Sequence, residues 1–476
     1  MAFDNQLPKK SDNLSEWYNK VVLDAGLADY GPAKGTMIFR PYGYAIWELI
    51  QDYLNGKIKA AGVKNAYFPL FIPESLIKKE ASHIEGFSPE LAVVTIGGGE
   101  ELAEKLIVRP TSETIMYDAY ARWIQSYRDL PIKLNQWNNV VRWEKRTYLF
   151  MRTSEFLWQE GHTAHATHTE ASKTVDWAIK LYEKTYQELF AIPGFVGTKS
   201  ESERFAGADE TWTYEAIMPE GKALQSATSH DLGQNFSKTF DITFQDHDGS
   251  QQHVWQTSWG FSTRSLGALV LVHGDDKGLR LPPLLAPVQA IVIPVRDEPA
   301  ILEYSNQVCT QLTKLGIRSE VESREGESFG FKIHKWELMG APLRLEIGSK
   351  EVDASSVMVA RRDTGEKVSL PLDQLEDKIA QLLDDIQTSL YHQAQESLKV
   401  NTHNVSDYTE FKQIMGAEKG FLRAPWCEEA ACEAKIKADT TATTRCLEPA
   451  EELLTDTRCI NCDKPAKHSW LFAQSY

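Results

Sequence analysis

Apolar side chains recur every three or four residues between Pro41 and Ala60, and Pro41 suits the first turn of a helix. This spacing predicts a long amphipathic helix. The helix leads into the segment 65–73 (NAYFPLFIP), whose apolar and aromatic residues predict a strand. Because proline cannot donate to a strand ladder, Pro69 and Pro73 should bring that strand to an end.

Short apolar or alternating segments recur between residues 132 and 272, with one clear helical pattern over 170–190. Runs of strands with segregated helices predict an antiparallel sheet of the α+β class. After a proline-rich linker at 282–287, strand and helix patterns alternate up to an amphipathic segment at 372–390. This alternation predicts a compact α/β domain.

Length and composition indicate a globular chain of several domains. A chain of 476 residues suggests about three domains. Its 42% hydrophobic and 25% charged residues exclude a disordered or collagen-like chain, and six cysteines are too few for a disulfide-dense scaffold. The breaks in pattern predict domains over 1–285, 286–395 and 396–476.

The charge and the apolar segments narrow the location and partners of the chain. A formal net charge of −16 argues against nonspecific coating of nucleic acid, DNA included, although it leaves local basic surfaces open. The longest apolar segments fall short of the roughly 18 residues that a membrane span needs, and the amino terminus lacks the apolar core of a secretory signal. We therefore predict a cytoplasmic protein that does not span a membrane.

Two closely spaced pairs of cysteines lie near the end of the chain. Cys427 and Cys432 have C-x4-C spacing, and Cys459 and Cys462 have C-x2-C spacing. In a reducing compartment, two such pairs predict a structural zinc site. The alternative is that these thiols are unrelated and pack as small hydrophobic side chains, since the first spacing is wide and Cys446 is a further candidate ligand.

Arginines cluster in the segment 140–162. Arg142 and Glu144 would share one face of a predicted strand, and Arg146 and Arg152 would flank a turn. A guanidinium group can bind phosphate oxygens in pairs, while Glu144 could accept from an exocyclic amine or order a metal ion. Taken alone, this segment could equally be an ordinary solvated strand face.

Three further features are weak when taken singly. Arg264 lies where a strand pattern meets an apolar segment. His162, His165 and His168 suggest a metal site, but three-residue steps alternate faces on a strand, so we do not predict one. The glycines at 97–99 lack the Lys-Ser or Lys-Thr of a phosphate loop and predict a hairpin or flexible turn.

In combination, the helix and strand near 41–73, the segment 140–144 (VVRWE) and the segment 260–275 (GFSTRSLGALVLVHGD) resemble the three motifs of class II aminoacyl-tRNA synthetases. Five segments then resemble the prolyl-tRNA synthetase family in its archaeal and eukaryotic-like form. They are RPTSET at 109–114, VRWE at 141–144, FLWQEGHTAH at 156–165, LQSATSHDLGQNFSKTF at 224–240 and WGFSTRSLGALVLVHGDDKGLRLPP at 259–283.

The resemblance covers essentially the whole chain and implies its fold and activity. It implies an α+β catalytic domain, an α/β anticodon-binding domain and a small zinc-containing α+β domain at the C-terminus. The implied activity is ATP-dependent attachment of L-proline to tRNA(Pro) through prolyl-adenylate. Mg²⁺ would accompany ATP, and the chain would form a homodimer through its first motif.

The resemblance also implies the residues of each site. Proline would be bound by Thr111, Glu113, Arg142, Trp158, Glu160, His162 and His230. ATP would be bound by Arg142, Glu144, Arg152, Thr153, Gln225, Thr228, Ser262 and Arg264. The anticodon would be read among Glu337, Arg344 and Lys367, and zinc would be held by Cys427, Cys432, Cys459 and Cys462.

Two other functions are compatible with the scaffold. One is a noncatalytic RNA-binding or regulatory protein, which the retention of Arg142, Glu144 and Arg264 disfavours. The other is a synthetase for another small amino acid such as threonine or serine, which the TSE segment and His230 disfavour. Only about a hundred residues separate Arg152 from Ser262, which leaves no room for the large editing insertion of the bacterial-type relatives. We therefore predict no editing of alanyl-tRNA by this chain.

Overall fold

The computed structural model describes residues 7–79 and 91–476. None of the helices in these two stretches is both long and apolar enough to cross a bilayer.

The amino-terminal region begins with helices and short strands, which precede most strands of the large sheet along the chain. Its elements are α1 (Leu14–Asp24), β1 (Ala28–Tyr30), β2 (Met37–Phe39), α2 (Pro41–Ala60), β3 (Lys64–Asn65), β4 (Phe71–Pro73), α3 (Glu74–Lys78), β5 (Ala92–Gly97), β6 (Glu100–Val108) and α4 (Glu113–Trp123). The helix predicted over 41–60 is confirmed. It buries Ile46, Trp47, Ile50, Leu54 and Ile58, as the apolar spacing indicated.

The predicted strand over 65–73 is shorter than expected, because residues 66–70 lie between β3 and β4. At the centre of this segment the backbone of Phe68 bonds to side chains, whereas Ala66 and Leu70 on either side bond to the backbone of Asn135 and Arg109. The N–H of Phe68 donates to the side chain of Gln136, and its carbonyl accepts from the buried guanidinium of Arg109 at 2.6 Å. Pro69 supplies no donor at all, which also interrupts a ladder.

The glycine turn is confirmed as a hairpin. Strands β5 and β6 pair antiparallel, and the turn between them is made by Gly98 and Gly99 at φ of 62° and 88°. Two consecutive positive φ angles favour glycine, since a side chain would be strained there.

A seven-stranded sheet, counted over the described residues, forms the centre of the region. The remaining elements are β7 (Ile132–Val141), β8 (Glu155–His165), α5 (His168–Lys184), β9 (Gly194–Thr198), β10 (Glu210–Ile217), β11 (Ala223–Gly233), α6 (Asn235–Thr239), β12 (Thr243–Gln245), β13 (Gln251–His253), β14 (Trp255–Ser262) and α7 (Arg264–His273). The strand order is β3, β7, β8, β14, β11, β10, β9. Every neighbouring pair is antiparallel except β3 with β7, which confirms the predicted antiparallel sheet.

The second region is the predicted α/β domain. Its elements are β15 (Ala290–Pro294), α8 (Pro299–Lys314), β16 (Ser319–Val321), α9 (Phe329–Met339), β17 (Leu343–Ile347), α10 (Ser349–Asp353), β18 (Ser356–Arg361), β19 (Lys367–Pro371) and α11 (Leu375–Val400). The sheet order is β16, β15, β17, β18, β19. Strand β15 is parallel to both neighbours, and the other two pairs are antiparallel.

Helix α11 runs past the predicted domain boundary at residue 395. Leu390 packs into the α/β core, whereas Leu398 packs into a cluster that includes Phe421 of the C-terminal region. One continuous helix therefore belongs to both cores.

The C-terminal region is a small α+β unit. Its elements are β20 (Thr402–Asn404), α12 (Tyr408–Gly416), β21 (Phe421–Trp426), α13 (Ala430–Thr440), β22 (Ala442–Cys446) and β23 (His468–Gln474). The four strands are ordered β20, β21, β23, β22. The unit contacts the large sheet, since Leu447 bridges to Thr198 and Ser475 bridges to Ala223.

Candidate active site and cysteine cluster

A cavity of about 310 Å³ lies on one face of the large sheet. Because side chains alternate faces along a strand, every second residue of β8, β14 and β11 points into it. These residues are Trp158, Glu160 and His162 on β8, Ser258, Gly260 and Ser262 on β14, and Thr228 and His230 on β11. The register confirms that they share a face, since Gly260 lies between Glu160 on β8 and Thr228 on β11.

One end of the cavity is rich in carboxylates. Glu113 is the first residue of α4, is 4% exposed and accepts a hydrogen bond from Thr111. Glu160 is 1% exposed and accepts from Asn138 Nδ2 at 2.7 Å and from Gln136 Nε2 at 3.0 Å. This end can therefore receive a cation that carries N–H donors.

His162 lies close to both carboxylates, with one side-chain N or O atom of each of the three residues within 4.8 Å of the others. Its Nε2 lies 3.0 Å from Oε2 of Glu160. Burial alone would lower the pKa of His162, but the Glu160 hydrogen bond and the charge of Glu113 raise it above its ordinary value. Burial would likewise raise the pKa of Glu160, yet hydrogen bonds from His162, Ser112 and Asn138 keep that pKa below its ordinary value. Both shifts therefore favour the charged forms of the pair.

His230 stays neutral beside this pair. Burial and, to a lesser degree, the charge of His162 lower its pKa to about 3. Its Nδ1 lies 2.9 Å from Oγ1 of Thr211 on β10, which orients the ring.

The other end of the cavity is cationic. Arg142 lies over the rings of Phe156 and Trp158 at 5.5 and 5.6 Å, and its Nε donates to the Pro110 carbonyl at 3.2 Å. Arg264 begins α7, and its Nε donates to the Met151 carbonyl at 3.1 Å. Burial lowers the pKa of Arg264, and the charges of Arg142 and Arg152 lower it further. Arg142 and Arg264 both line the cavity, so segments far apart in sequence converge there.

The two ends are separated along β14. Ser258 pairs with His162, whereas Ser262 pairs with Trp158 and immediately precedes the segment that carries Arg264. Four residues of strand span about 13 Å. The cavity can therefore hold an elongated ligand with a cationic and an anionic end.

The prediction that Arg142 and Glu144 share a strand face is wrong. Strand β7 ends at Val141, and the chain continues as a loop up to β8. The loop folds back on itself, since the N–H of Arg142 donates to the Ser154 carbonyl at 2.9 Å. An arginine in such a loop can approach a ligand that lies above the sheet, which a strand residue could not do as freely.

Three predicted ATP residues do not line the cavity in this structure. Glu144 and Arg152 face each other, with Oε1 of Glu144 3.8 Å from Nε of Arg152, and the Arg152 side chain is 51% exposed. Thr153 is buried, and its hydroxyl donates to the Glu155 carbonyl at 2.7 Å. Gln225, by contrast, lines the cavity as expected.

The residues that line the cavity but were not predicted include Phe156, Glu203, Phe205 and Thr211, together with Ser226 and Ala227 of β11 and residues 258–261 of β14. Phe156 could have been found from its position two residues before Trp158 on the same strand face. Glu203 and Phe205 lie in the connection between β9 and β10. No periodicity marks such a connection.

The four predicted zinc cysteines come together. Their sulfurs all lie within 4.8 Å of one another, with Cys427 and Cys462 3.5 Å apart and Cys432 and Cys459 3.6 Å apart. These separations are too long for a disulfide. Four thiolates around a tetrahedral zinc at about 2.3 Å would lie about 3.8 Å apart, so the cluster fits this ion. Cys446 is fully buried in a separate cluster.

Two of the three predicted anticodon residues meet at the carboxylate of Glu346, and the third, Glu337, contacts one of them. Arg344 Nε and Lys367 Nζ both lie 2.9 Å from Oε1 of Glu346, and Arg344 also contacts Glu337 at 3.3 Å. Glu346 is the residue that sequence reasoning missed. It shares a strand face with Arg344, two residues away on β17.

The three histidines do not converge. His162 faces the cavity, His165 bonds to Thr163, and His168 begins α5 and bonds to Asp231.

Comparison with protein families divides the chain as the structure does. The model "tRNA synthetase class II core domain (G, H, P, S and T)" matches residues 94–273. The model "Anticodon binding domain" matches 289–382, and "Prolyl-tRNA synthetase, C-terminal" matches 408–476. The fold and the site therefore define a class II aminoacyl-tRNA synthetase.

Full-length relatives specify the family. The chain is 51% identical to the proline–tRNA ligase of Chlorobium chlorochromatii over 99% of this chain and 100% of that protein. It is 47% identical to the proline–tRNA ligase of Alkaliphilus oremlandii, over 100% of this chain and 98% of that protein. The chain belongs to the proline–tRNA ligase family, which confirms the resemblance found in its motifs. The two alternative functions are not favoured.

Proposed function

We propose that this chain attaches L-proline to tRNA(Pro) in two steps. In the first, a carboxylate oxygen of proline attacks the α-phosphorus of ATP, and pyrophosphate leaves to give prolyl-adenylate. In the second, the 3′-terminal ribose hydroxyl of tRNA attacks the prolyl carbonyl, and AMP leaves. The observation that carries the proposal is the cavity with carboxylates at one end and two guanidinium groups at the other.

Proline fits the carboxylate end. Its secondary ammonium would bind Thr111 and Glu113, with the neutral ring of His230 beside it. Trp158, Glu160 and His162 would surround the apolar ring. A carboxylate that accepts from an ammonium group forms a charge-assisted hydrogen bond, which is stronger than a neutral one.

ATP would occupy the cationic end, with Mg²⁺ bound to it as part of the substrate. Arg142 would contact both the α-phosphate and the proline carboxylate, and Arg264 would contact the γ-phosphate. The remaining nucleotide contacts would come from Glu144, Arg152, Thr153, Gln225, Thr228 and Ser262. Glu144 and Arg152 face each other in the loop outside the cavity, so this loop would have to close over the nucleotide to bring them into contact with it.

The reaction needs no nucleophilic side chain, because the substrate carboxylate is the nucleophile. Catalysis then consists of positioning and of neutralising the charge that develops on the phosphates. Arg142 does both, since the Pro110 carbonyl and two aromatic rings fix its guanidinium in place.

The cysteine cluster would hold a structural zinc ion through Cys427, Cys432, Cys459 and Cys462. Four thiolates leave no open position on a tetrahedral ion, so the role is structural. The zinc ion would cross-link a long loop in a unit that is too small to be stabilised by its core alone.

The partners and the assembly are proposed from the resemblance to the family. Glu337, Arg344 and Lys367 would contact the anticodon of tRNA(Pro), and no DNA contact is proposed. We propose a cytoplasmic homodimer that associates through the first motif. The segment after α2 supports this interface, since Tyr67 and Phe71 are 72% and 47% exposed. Sedimentation of the purified chain would test it.

The proposed activity is tested by ATP–pyrophosphate exchange with each amino acid in turn. We expect exchange that depends on proline and exceeds that with threonine or serine. Exchange with another amino acid in preference to proline would refute the proposed specificity. Absence of exchange with every amino acid would refute the enzymatic function.

A further inference from the structure

The connection between β9 and β10, residues 199–209, contributes directly to the amino-acid end of the cavity. We call it the pocket loop. Glu203 and Phe205 of this loop line the cavity. The ring of Phe205 lies 4.6 Å from the ring of His230, and its N–H donates to Oγ1 of Thr211 at 3.1 Å. The position of the loop therefore decides the shape of the site.

The pocket loop is held from outside the catalytic region, by Glu433 of α13. This carboxylate is 5% exposed and accepts from Ser200 at 3.2 Å and also from Ser202. A third hydroxyl, that of Thr444 on β22, donates to it at 2.5 Å. A buried carboxylate is stable only when its lone pairs are satisfied, and here two of the donors belong to the pocket loop.

The base of the pocket loop is fixed by the same region. Lys199 donates to Oε1 of Glu215 at 2.6 Å, and Arg445 of β22 donates to Oε2 at 3.0 and 2.8 Å. All three side chains are almost completely buried. Lys437 of α13 adds a weaker contact to Glu203 at 3.9 Å. Ser200, Ser202 and Glu203 of the loop thus contact α13 directly. Lys199 is linked to β22 through Glu215.

Helix α13 is in turn anchored by the cysteine cluster. Glu433 directly follows Cys432, one of the four clustered cysteines. The C-terminal region therefore positions part of the amino-acid site, at a distance in sequence of more than two hundred residues.

From these contacts we propose that Glu433 is a positioning residue for proline binding, which acts by holding the pocket loop in its binding conformation. A loop that must be ordered when substrate binds reduces the apparent affinity by the fraction of molecules in which it is ordered. Loss of the Glu433 contacts should therefore raise the KM for proline and leave the chemical step unchanged. This inference rests on the proposed function.

The test is a double-mutant cycle of Glu433→Gln and Ser202→Ala, measured by proline-dependent ATP–pyrophosphate exchange. We expect each single variant to raise the KM for proline about fivefold or more, since each removes a hydrogen bond to a buried charge. The kcat and the KM for ATP should stay within about twofold of wild type. Because both changes break the same contact, the double variant should resemble a single one, with effects that do not multiply.

Two controls separate positioning from a structural effect. Glu452→Gln changes an exposed carboxylate of the same region and should leave every constant unchanged. Bound metal per chain should be the same in Glu433→Gln as in wild type. Ser202→Ala lies on the loop side and does not touch the cysteines, so it decides the question if Glu433→Gln fails to fold.

Three results would contradict the inference. They are an unchanged KM for proline in Ser202→Ala, a parallel rise in the KM for ATP, and single-variant effects that multiply in the double variant. If the wild-type chain itself shows no proline-dependent exchange, the proposed function fails instead. Wild-type exchange that none of the variants alters would refute only the positioning role.

Discussion

Removal of the Arg264 guanidinium should lower the activity strongly but the stability of the fold only slightly. At an effective dielectric constant of about 20, two unit charges 4 Å apart interact by about 4 kcal/mol. A phosphate that loses this partner in the transition state should react about 10³-fold more slowly, at ~1.36 kcal/mol per factor of ten. We therefore expect Arg264→Met to lower kcat/KM for ATP by roughly that factor in ATP–pyrophosphate exchange.

The same substitution should cost little stability. The charged form of Arg264 is disfavoured by burial and by its neighbours Arg142 and Arg152, which lowers its pKa. Among the salt bridges of the described residues none involves Arg264, and the nearby carboxylate of Glu144 has Arg152 as its partner, so the substitution leaves no buried anion without one. The loss is one hydrogen bond to the Met151 carbonyl, worth about 1 kcal/mol, and relief of the repulsion offsets part of it.

A matched control is Arg296→Met, which removes a guanidinium that is 73% exposed and does not line the cavity. It should leave both exchange and the unfolding temperature unchanged. Exchange by Arg264→Met within tenfold of wild type, in a protein that unfolds at the wild-type temperature, would refute the phosphate contact.

Four further predictions follow from the other parts of the molecule. The purified chain should contain about one zinc ion, and Cys459→Ser should lose it, as measured by elemental analysis; wild-type protein that folds with no metal would contradict the site. Lys367→Ala should raise the KM for tRNA in aminoacylation and leave proline activation unchanged, and unaltered charging kinetics would count against its anticodon contact. His273 is neutral in the fold because burial lowers its pKa to about 3. The unfolded chain therefore binds one more proton below pH 6.5, and the stability of the fold must decrease as the pH is lowered through that range. At pH 5 the wild-type free energy of unfolding should be about 2 kcal/mol lower than at pH 7 because of this group. His273→Gln should avoid that loss, as measured by thermal unfolding at the two pH values. Equal pH dependence in the two proteins would show that the group does not titrate as described. Purified chain should not deacylate alanyl-tRNA, and detectable deacylation would overturn the prediction that it lacks editing.

The parts of the fold that could be predicted are those with a local periodic signal. Helix α2 and the strands of the large sheet follow their apolar spacing, and the glycine hairpin follows its turn residues. The strand predicted over 65–73 is longer than the strands observed there. The apolar pattern does not reveal that the side chains of Gln136 and Arg109 form hydrogen bonds with the backbone of Phe68.

The site was predictable only through its motifs. Arg142 and Arg264 were found because their segments resemble known motifs, and the structure brings both to one cavity. Glu433 and Glu346 were missed for a different reason. Each gains its role from partners on other elements, and no local spacing encodes such contacts. The carboxylate Glu113 shows the opposite case, since it lies in the RPTSET segment that carries the resemblance, and the structure places it at the start of α4.

Charging of tRNA tests the central claim most directly. Purified chain, ATP with Mg²⁺, labelled proline and a transcript of tRNA(Pro) should yield acid-precipitable prolyl-tRNA, with the label on the 3′-terminal ribose. The reaction should require ATP and should fail with a transcript of a tRNA for another amino acid. An active, folded preparation that never transfers proline to tRNA(Pro) would contradict the account.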